Sequence, residues 1–417
     1  MTAKKINELS AKTPVSTDVI PVADPTTGVA GKSTLSQIAG VATVQDTYTG
    51  SWIYPYKYII GATKAIGQSG QSPSSIGLFV EKFDYFEYSV PNGLTSLTHN
   101  NISSFGSYSP YELSSLTSLS FPILSSVLGN FQPSSMQYLT TLSLPYLTLV
   151  QGSFAPSIME SLTTLDLPLL ERVYDNFGPN SMALVTSINT PELVSCGSYR
   201  PQAMACTTLT APKLTTATVN FAPQSFTTLT TIDMPLLKTV GGFMQFGNNP
   251  QMTTLSFPVL ERVGGEFSFF SCNGLVSLTM PALKYIGRKL TTANTALGRI
   301  SMNTSSSFTT AVFPVIETIG SSSSVSISSN TVPLLSTFTL GSTLRQVDGN
   351  VTLTSGALTQ ASVDGLLVRL AALDGTGVTT AYSTKTVTIT GTSATPSATG
   401  LAAKATLVSR GCTVTHN

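Results

Sequence analysis

Gly31-Lys32-Ser33-Thr34 reads as the second half of a phosphate-binding loop, in which backbone N–H groups and a lysine hold phosphoryl oxygens. The first half is missing. The leading glycine belongs at position 26, where Thr26 stands, and the tight wrap around a phosphate depends on glycine conformations. No nucleotide is therefore expected, and Lys32 is expected in a turn. Acid–base chemistry has little more to work with. There are two histidines, His99 and His416, and no Ser/His/Asp or Cys/His grouping accompanies them. The four cysteines, Cys196, Cys206, Cys272 and Cys412, form no CxxC pair, and their spacing is neither a zinc signature nor a disulfide framework. Whether any of them pair is open. These residues predict no catalytic, metal or cofactor site.

The elements that must position such residues come from an internal repeat. "LTSLSFPILSSVLGNFQP" from Leu116, "LTTLSLPYLTLVQGSFAP" from Leu139, "LTTLDLPLLERVYDNFGP" from Leu162 and "LTTIDMPLLKTVGGFMQF" from Leu229 are copies of one pattern. Prolines mark its register: Pro122, Pro145, Pro168, Pro191, Pro212, Pro235, Pro258 and Pro281. A fixed period of this size means a solenoid, here of about eleven coils of ~23 residues. In L-T-T-L-x-L-P, apolar residues flank a polar x, which predicts a short strand with one buried face, ended by proline. A second apolar column (Val127, Val150, Val173, Cys196, Ala217, Val240, Val263, Ile286, Ile319) follows five residues after the proline. Phe131, Phe154, Phe177, Phe221 and Phe267 lie four further on. Stacked coils would merge these columns into one core with an aromatic spine.

The polar x positions are Thr98, Ser120, Ser143, Asp166, Asn189, Thr210, Asp233, Ser256 and Thr279. They predict one outward stripe of hydroxyl, amide and carboxylate groups, suited to hydrogen-bonding sugars; any solvated strand face also has this make-up. Asp166 and Asp233 are the best carboxylate pair on it. Three coils at ~4.8 Å put them about 14 Å apart, beyond the ~5–9.5 Å of glycosidase acids. Lys238, Glu261, Lys284 and Glu317 form an alternating column that predicts a salt-bridge ladder supporting register. The insertion between Pro281 and Pro314 carries Arg288, Lys289 and Arg299, a basic loop and a candidate contact.

Lys plus Arg is 21 and Asp plus Glu is 20 in 417 residues, a net charge of +1 that argues against nucleic acid held by bulk electrostatics. Charged residues make up 10% of the chain, well below the usual quarter, and serine and threonine supply the polarity. No apolar run reaches a membrane span, and the first 30 residues lack a signal-peptide core, so synthesis in a cytoplasm without export and no membrane insertion are expected.

The organisation read from these patterns is mainly β: residues 1–40 as a leading segment, 41–93 as an aromatic-rich connector and cap, 94–355 as the solenoid, and 356–417 as an α/β end cap. Tyr48, Trp52, Tyr54, Tyr56 and Tyr58 in the connector suit either a sugar platform or a cap on the first coil; the cap is favoured because solenoid ends need covering. "TQASVDGLLVRLAAL" predicts an amphipathic helix, "TKTVTITG" a strand and "TPSATGLAAKATLVSRG" a second helix stopped by Gly411.

Two resemblances follow from these motifs. The copy "MTTLSFPVLERVGGEFSFFSCNGL" from Met252 resembles the BspA-like leucine-rich repeats, which implies a recognition or adhesion solenoid rather than an enzyme. The ordered blocks Lys5-Ile6-Asn7-Glu8-Leu9, Thr17-Asp18-Val19-Ile20-Pro21-Val22 and Lys32-Ser33-Thr34-Leu35-Ser36-Gln37-Ile38 resemble the start of phage tail-fibre proteins. That family docks a fibre to the virion through this segment. The resemblance implies attachment to tail, baseplate or neck proteins through Ile6, Leu9, Ile20, Val22, Lys32, Leu35 and Ile38. It also implies a virion location, a homo-oligomer of the trimeric kind, and a solenoid offered to a host surface glycan or protein. A purely structural virion component and a glycan-hydrolysing spike are the alternatives.

Overall fold

The computed structural model describes residues 95–99, 103–111, 113–287, 298–320 and 325–417, together with the backbone of four earlier strands, Val19–Ala23, Ala30–Thr34, Trp52–Tyr54 and Ser75–Leu78. The chain is mainly β and winds as a β-solenoid of about 13 turns of ~23 residues. Two compact units divide it, Met1–Leu170 and Glu171–Asn417.

In the first unit, Trp52–Tyr54, Ser75–Leu78, Ser96–Thr98, Ser118–Ser120 and Thr141–Ser143 form one parallel sheet. This is the L-T-T-L strand, with Leu119 and Leu142 pointing inward and buried. The coil then turns. Pro122 and Pro145 occupy the second position of a β-turn, closed by Leu124 N–H to the Phe121 carbonyl and by Leu147 N–H to that of Leu144 (both 3.4 Å). A second side follows, with Ser104–Phe105, Ser126–Val127 and Leu149–Val150 in parallel register. The third side, unforeseen in the sequence, is marked by parallel bridges from Tyr108 to Phe131 to Phe154 and from Tyr111 to Ser134 to Ser157. Phe131 stacks on Tyr108 (5.5 Å) and on Phe154 (5.3 Å), so the aromatic spine is real and begins with a tyrosine.

The second unit repeats this plan. Val173, Cys196, Ala217, Val240, Val263, Ile286, Ile319 and Val347 are all buried on its second side. Phe177, Tyr199 and Phe221 stack at 5.3 and 5.2 Å. Beyond Phe221 the same register passes through Met244, Phe267 and Ile300, so the spine turns partly aliphatic.

Two recurrent devices hold coil to coil. The first threonine of L-T-T-L grips the preceding coil twice: both N–H and Oγ1 of Thr140 donate to the Thr117 carbonyl (2.9 and 3.0 Å), and Thr230 does the same to Thr207 (2.9 and 3.0 Å). A residue in the left-handed region recurs in each coil: Ser135 and Ile158 in the first unit, and Ser181, Ala203, Ser225, Asn248, Ser271, Thr304 and Thr331 in the second. This conformation costs roughly 1–2 kcal/mol per non-glycine residue. It reverses the chain while its N–H stays on the ladder, as in Asn248 N–H to the Phe270 carbonyl at 3.1 Å.

The insertion after Pro281 leaves the ladders undisturbed. A Cβ on Gly298 would collide with the Gly287 Cα, so the two backbones meet at the neck of the inserted segment. Phe267 stays in register with Ile300, and Ile286 with Ile319.

The end module is a continuation of the solenoid. Met244–Gly247, Phe267–Phe270, Ile300–Asn303, Val325–Asn330, Asn350–Leu353, Thr386–Ile389 and Thr413–His416 form one seven-stranded parallel sheet, the third side of the coils. Helices Gln360–Ala371 and Ala398–Ser409 replace the other two sides in the last turns. Leu366, Leu367, Leu370 and Leu373 are buried, as the helical spacing predicts. Thr359 and Ser397 cap the helices, Asp364 accepts the Ser397 N–H at 2.9 Å, and Gly411 ends the second helix with φ 79°.

Candidate functional site: the outward strand face

Side chains alternate along the first-side strands, so Ser118–Ser120 and Thr141–Ser143 each present two outward residues around one buried leucine. In the first unit Thr98, Ser120 and Ser143 lie in register and are half-buried, and Asp166 is exposed on the strand Thr164–Asp166. A twin column stands beside them, Ser96, Ser118 and Thr141, also in register. The x column alone does not show it; the second threonine of L-T-T-L is its mark in the sequence. The face is therefore a two-column array of hydroxyls, spaced by ~4.8 Å between strands and two residues along them.

In the second unit the stripe is interrupted. Thr210, Asp233 and Ser256 share one three-stranded sheet, with Thr208, Thr231 and Thr254 beside them. Thr279 belongs to another, in register with Val312 and Thr339, so an apolar side chain breaks the polar run. Asn189 is exposed on Ser187–Asn189, outside both sheets. The strand neighbours of Asp233 carry hydroxyls, Thr210 and Ser256, with no second carboxylate beside it.

Charge is engaged in register support here. Lys238 pairs with Glu261 (3.5 Å), Glu317 with Arg345 (3.7 Å), and Lys213 with Glu192. The Arg262 guanidinium lies 4.7 Å from the centre of the Tyr285 ring, whose hydroxyl donates to Glu317 (3.2 Å). Arg299, expected in a contact loop, pairs with Glu266 at 3.0 Å at the start of the third side. Arg288 and Lys289 lie outside the described residues.

His99 and the four cysteines turn inward. His99 is fully buried, stacked on Phe121 (4.4 Å, 5°), with Nε2 3.4 Å from the Tyr108 hydroxyl. Burial lowers its pKa to about 3, so the ring is neutral over the ordinary pH range. His416 Nε2 lies 3.1 Å from the Lys404 ammonium. All four cysteines are free and buried, and burial raises the Cys206 thiol to about 11 and the Cys272 thiol to about 12. No group of three metal-ligating side chains occurs among the described residues.

Lys32 lies within a strand, not in a turn. Ala30–Thr34 pairs antiparallel with Val19–Ala23, with Lys32 opposite Pro21, and Ile20 opposite Ser33. Val19–Ala23 and Ala30–Thr34 are thus the two arms of a hairpin. Ile6, Leu9, Leu35 and Ile38 lie outside the described residues.

Comparison of the chain with protein-family models, curated proteins and solved structures finds no match. No helix among the described residues is long and apolar enough to cross a membrane.

Proposed function

We propose that this chain is a non-enzymatic phage virion protein, a tail fibre or receptor-binding protein. In this reading it docks by residues 1–40, assembles as a homo-oligomer of the trimeric kind, and presents its solenoid to a host surface glycan or protein. The observation that carries the proposal is the outward face of the first side. Paired columns of hydroxyls are held in backbone register, while His99 and the four cysteines are withdrawn into the core. Such a surface offers hydrogen-bond donors and acceptors in a fixed array and no nucleophile or acid–base pair, which suits recognition more than turnover. The Val19–Ala23/Ala30–Thr34 hairpin supports the docking role, because it gathers two of the three fibre-like blocks into one element.

A structural virion role draws on a different observation. Val368, Leu401 and Val408 are exposed on the two terminal helices, and apolar side chains there suit contact with another protein.

The test uses labelled full-length protein on cells that the virion infects. Binding to those cells and competition with virion adsorption are the expected results. Both should weaken when Ser120 and Thr210 are replaced by arginine. Absence of the protein from purified particles would sink the virion reading, and cell binding unaffected by both arginines would remove the face from it.

A further inference from the structure

We propose that the ligand face of the first unit is specific for neutral polysaccharide, with Tyr138 and Tyr146 as its stacking platforms. This rests on the receptor-binding reading above and narrows both the ligand and the place. Two independent observations support it.

The first is charge. None of the 21 lysines and arginines falls between Phe83 and Glu171, although the chain on either side carries them regularly. The described first-unit coils hold acids only, Glu160 and Asp166. A carboxylated, sulfated or phosphorylated polymer would find no counter-charge on these described coils and would meet two carboxylates. A polymer bearing only hydroxyl and acetamido groups meets no such penalty, and the paired hydroxyl columns can exchange hydrogen bonds with it.

The second is aromatic exposure. Tyr138 and Tyr146 are 58% and 56% exposed, in a unit whose other described rings, Phe105, Tyr108, Phe121, Phe131 and Phe154, are buried, apart from Tyr111. They occupy the turns immediately before and after Thr141–Ser143, so one strand of the hydroxyl face is bracketed by two free ring surfaces. Neither ring contributes to the core, and leaving two large apolar rings in water has no stabilising effect on the coil. An aromatic ring can lie against the C–H face of a pyranose while its hydroxyl stays hydrated, a use of the apolar body and polar tip of tyrosine.

Affinity electrophoresis of the full chain in gels containing dextran, glycogen, galactomannan or polygalacturonate tests this. Retardation by at least one neutral polymer and none by polygalacturonate is expected. Tyr138→Ala with Tyr146→Ala should weaken that retardation by about 10-fold or more, the size of loss found for anchor residues. Lys238→Ala in the second unit should not change it. Thermal melting of each variant separates lost binding from lost folding. Retardation by polygalacturonate alone, by no neutral polymer, or equally by the double-tyrosine variant would overturn the proposal. Cell binding without neutral-polymer binding would leave the receptor role standing and remove only this inference; neutral-polymer binding without cell binding would do the reverse.

Discussion

The coils before Leu170 and those after Glu171 are wound from the same repeat but are held and finished differently. The first unit relies on rings: His99, Phe105, Tyr108, Phe121, Phe131 and Phe154 pack within 4.4 to 6.3 Å of one another along its core. The second unit stacks Phe177, Tyr199 and Phe221, continues through edge and tilted ring contacts to Phe338 while its spine register passes to Met244 and Ile300, and adds ion pairs from coil to coil on its surface. A stacked repeat needs each coil to bind its neighbours, and aromatic packing or charge pairing can each assist.

That comparison can be broken most directly in the core. Phe131→Ala should cost about 4 kcal/mol, the range for a fully buried phenylalanine, and should open the first unit to proteolysis before the second. Urea denaturation followed by mass mapping of the cut sites checks both the size and the order. Simultaneous cutting in both units would remove the distinction.

Mild acid should also act on the first unit. The folded pKa of His99, about 3, lies below its ordinary value of 6.5. The unfolded chain therefore binds the proton first, and stability falls as pH drops from 6.5 towards 3. The loss should reach about 3 kcal/mol at pH 4, an order-of-magnitude figure. His99→Phe, placed against Phe121, should flatten this dependence; an unchanged acid profile in that variant would show that another group controls it.

A smaller change sharpens the comparison of the spines. Tyr199 stands in the ring column of the second unit, fully buried, and its hydroxyl has no hydrogen-bond partner among the described residues. Tyr199→Phe should raise stability by about 1 kcal/mol, because an unsatisfied buried hydroxyl is removed while the ring stack with Phe177 and Phe221 remains. A fall in melting temperature would mean that the hydroxyl is satisfied.

The smallest effect belongs to the surface ladder. Lys238→Ala should lower the stability of the second unit by less than ~1 kcal/mol, since both partners of the Lys238–Glu261 pair are substantially exposed, and the difference should shrink in high salt. A salt-independent loss would point to packing of the lysine stem instead.

Much of this architecture was legible in the chain. The buried leucines of L-T-T-L, the proline turns and the Val127-to-Ile319 column recur at one spacing because each coil must offer the same side chain to the same neighbour. Of the third side, only the phenylalanine column was legible. The rest of its strands, such as Met244–Gly247 and Ile300–Asn303, share no residue pattern, being defined by backbone register and by the left-handed residue that follows them. Part of the candidate face was readable as the x column. Its twin column, the break at Val312 and the capture of Arg299 by Glu266 were not, because each depends on which residues the coils bring side by side.

By itself the sequence determined the period, the inward-facing residues and the absence of basic charge from 83 to 171, since these follow from residue type and spacing alone. Only the tertiary structure decided that the coil has three sides, that strands Thr386–Ile389 and Thr413–His416 continue its third sheet, that Lys32 lies in a strand, and that Tyr138 and Tyr146 face solvent while Tyr108 and Tyr199 are enclosed. A tyrosine in a 23-residue repeat carries no mark of which way it points. Its burial is settled by the corner it occupies and by the coil stacked against it.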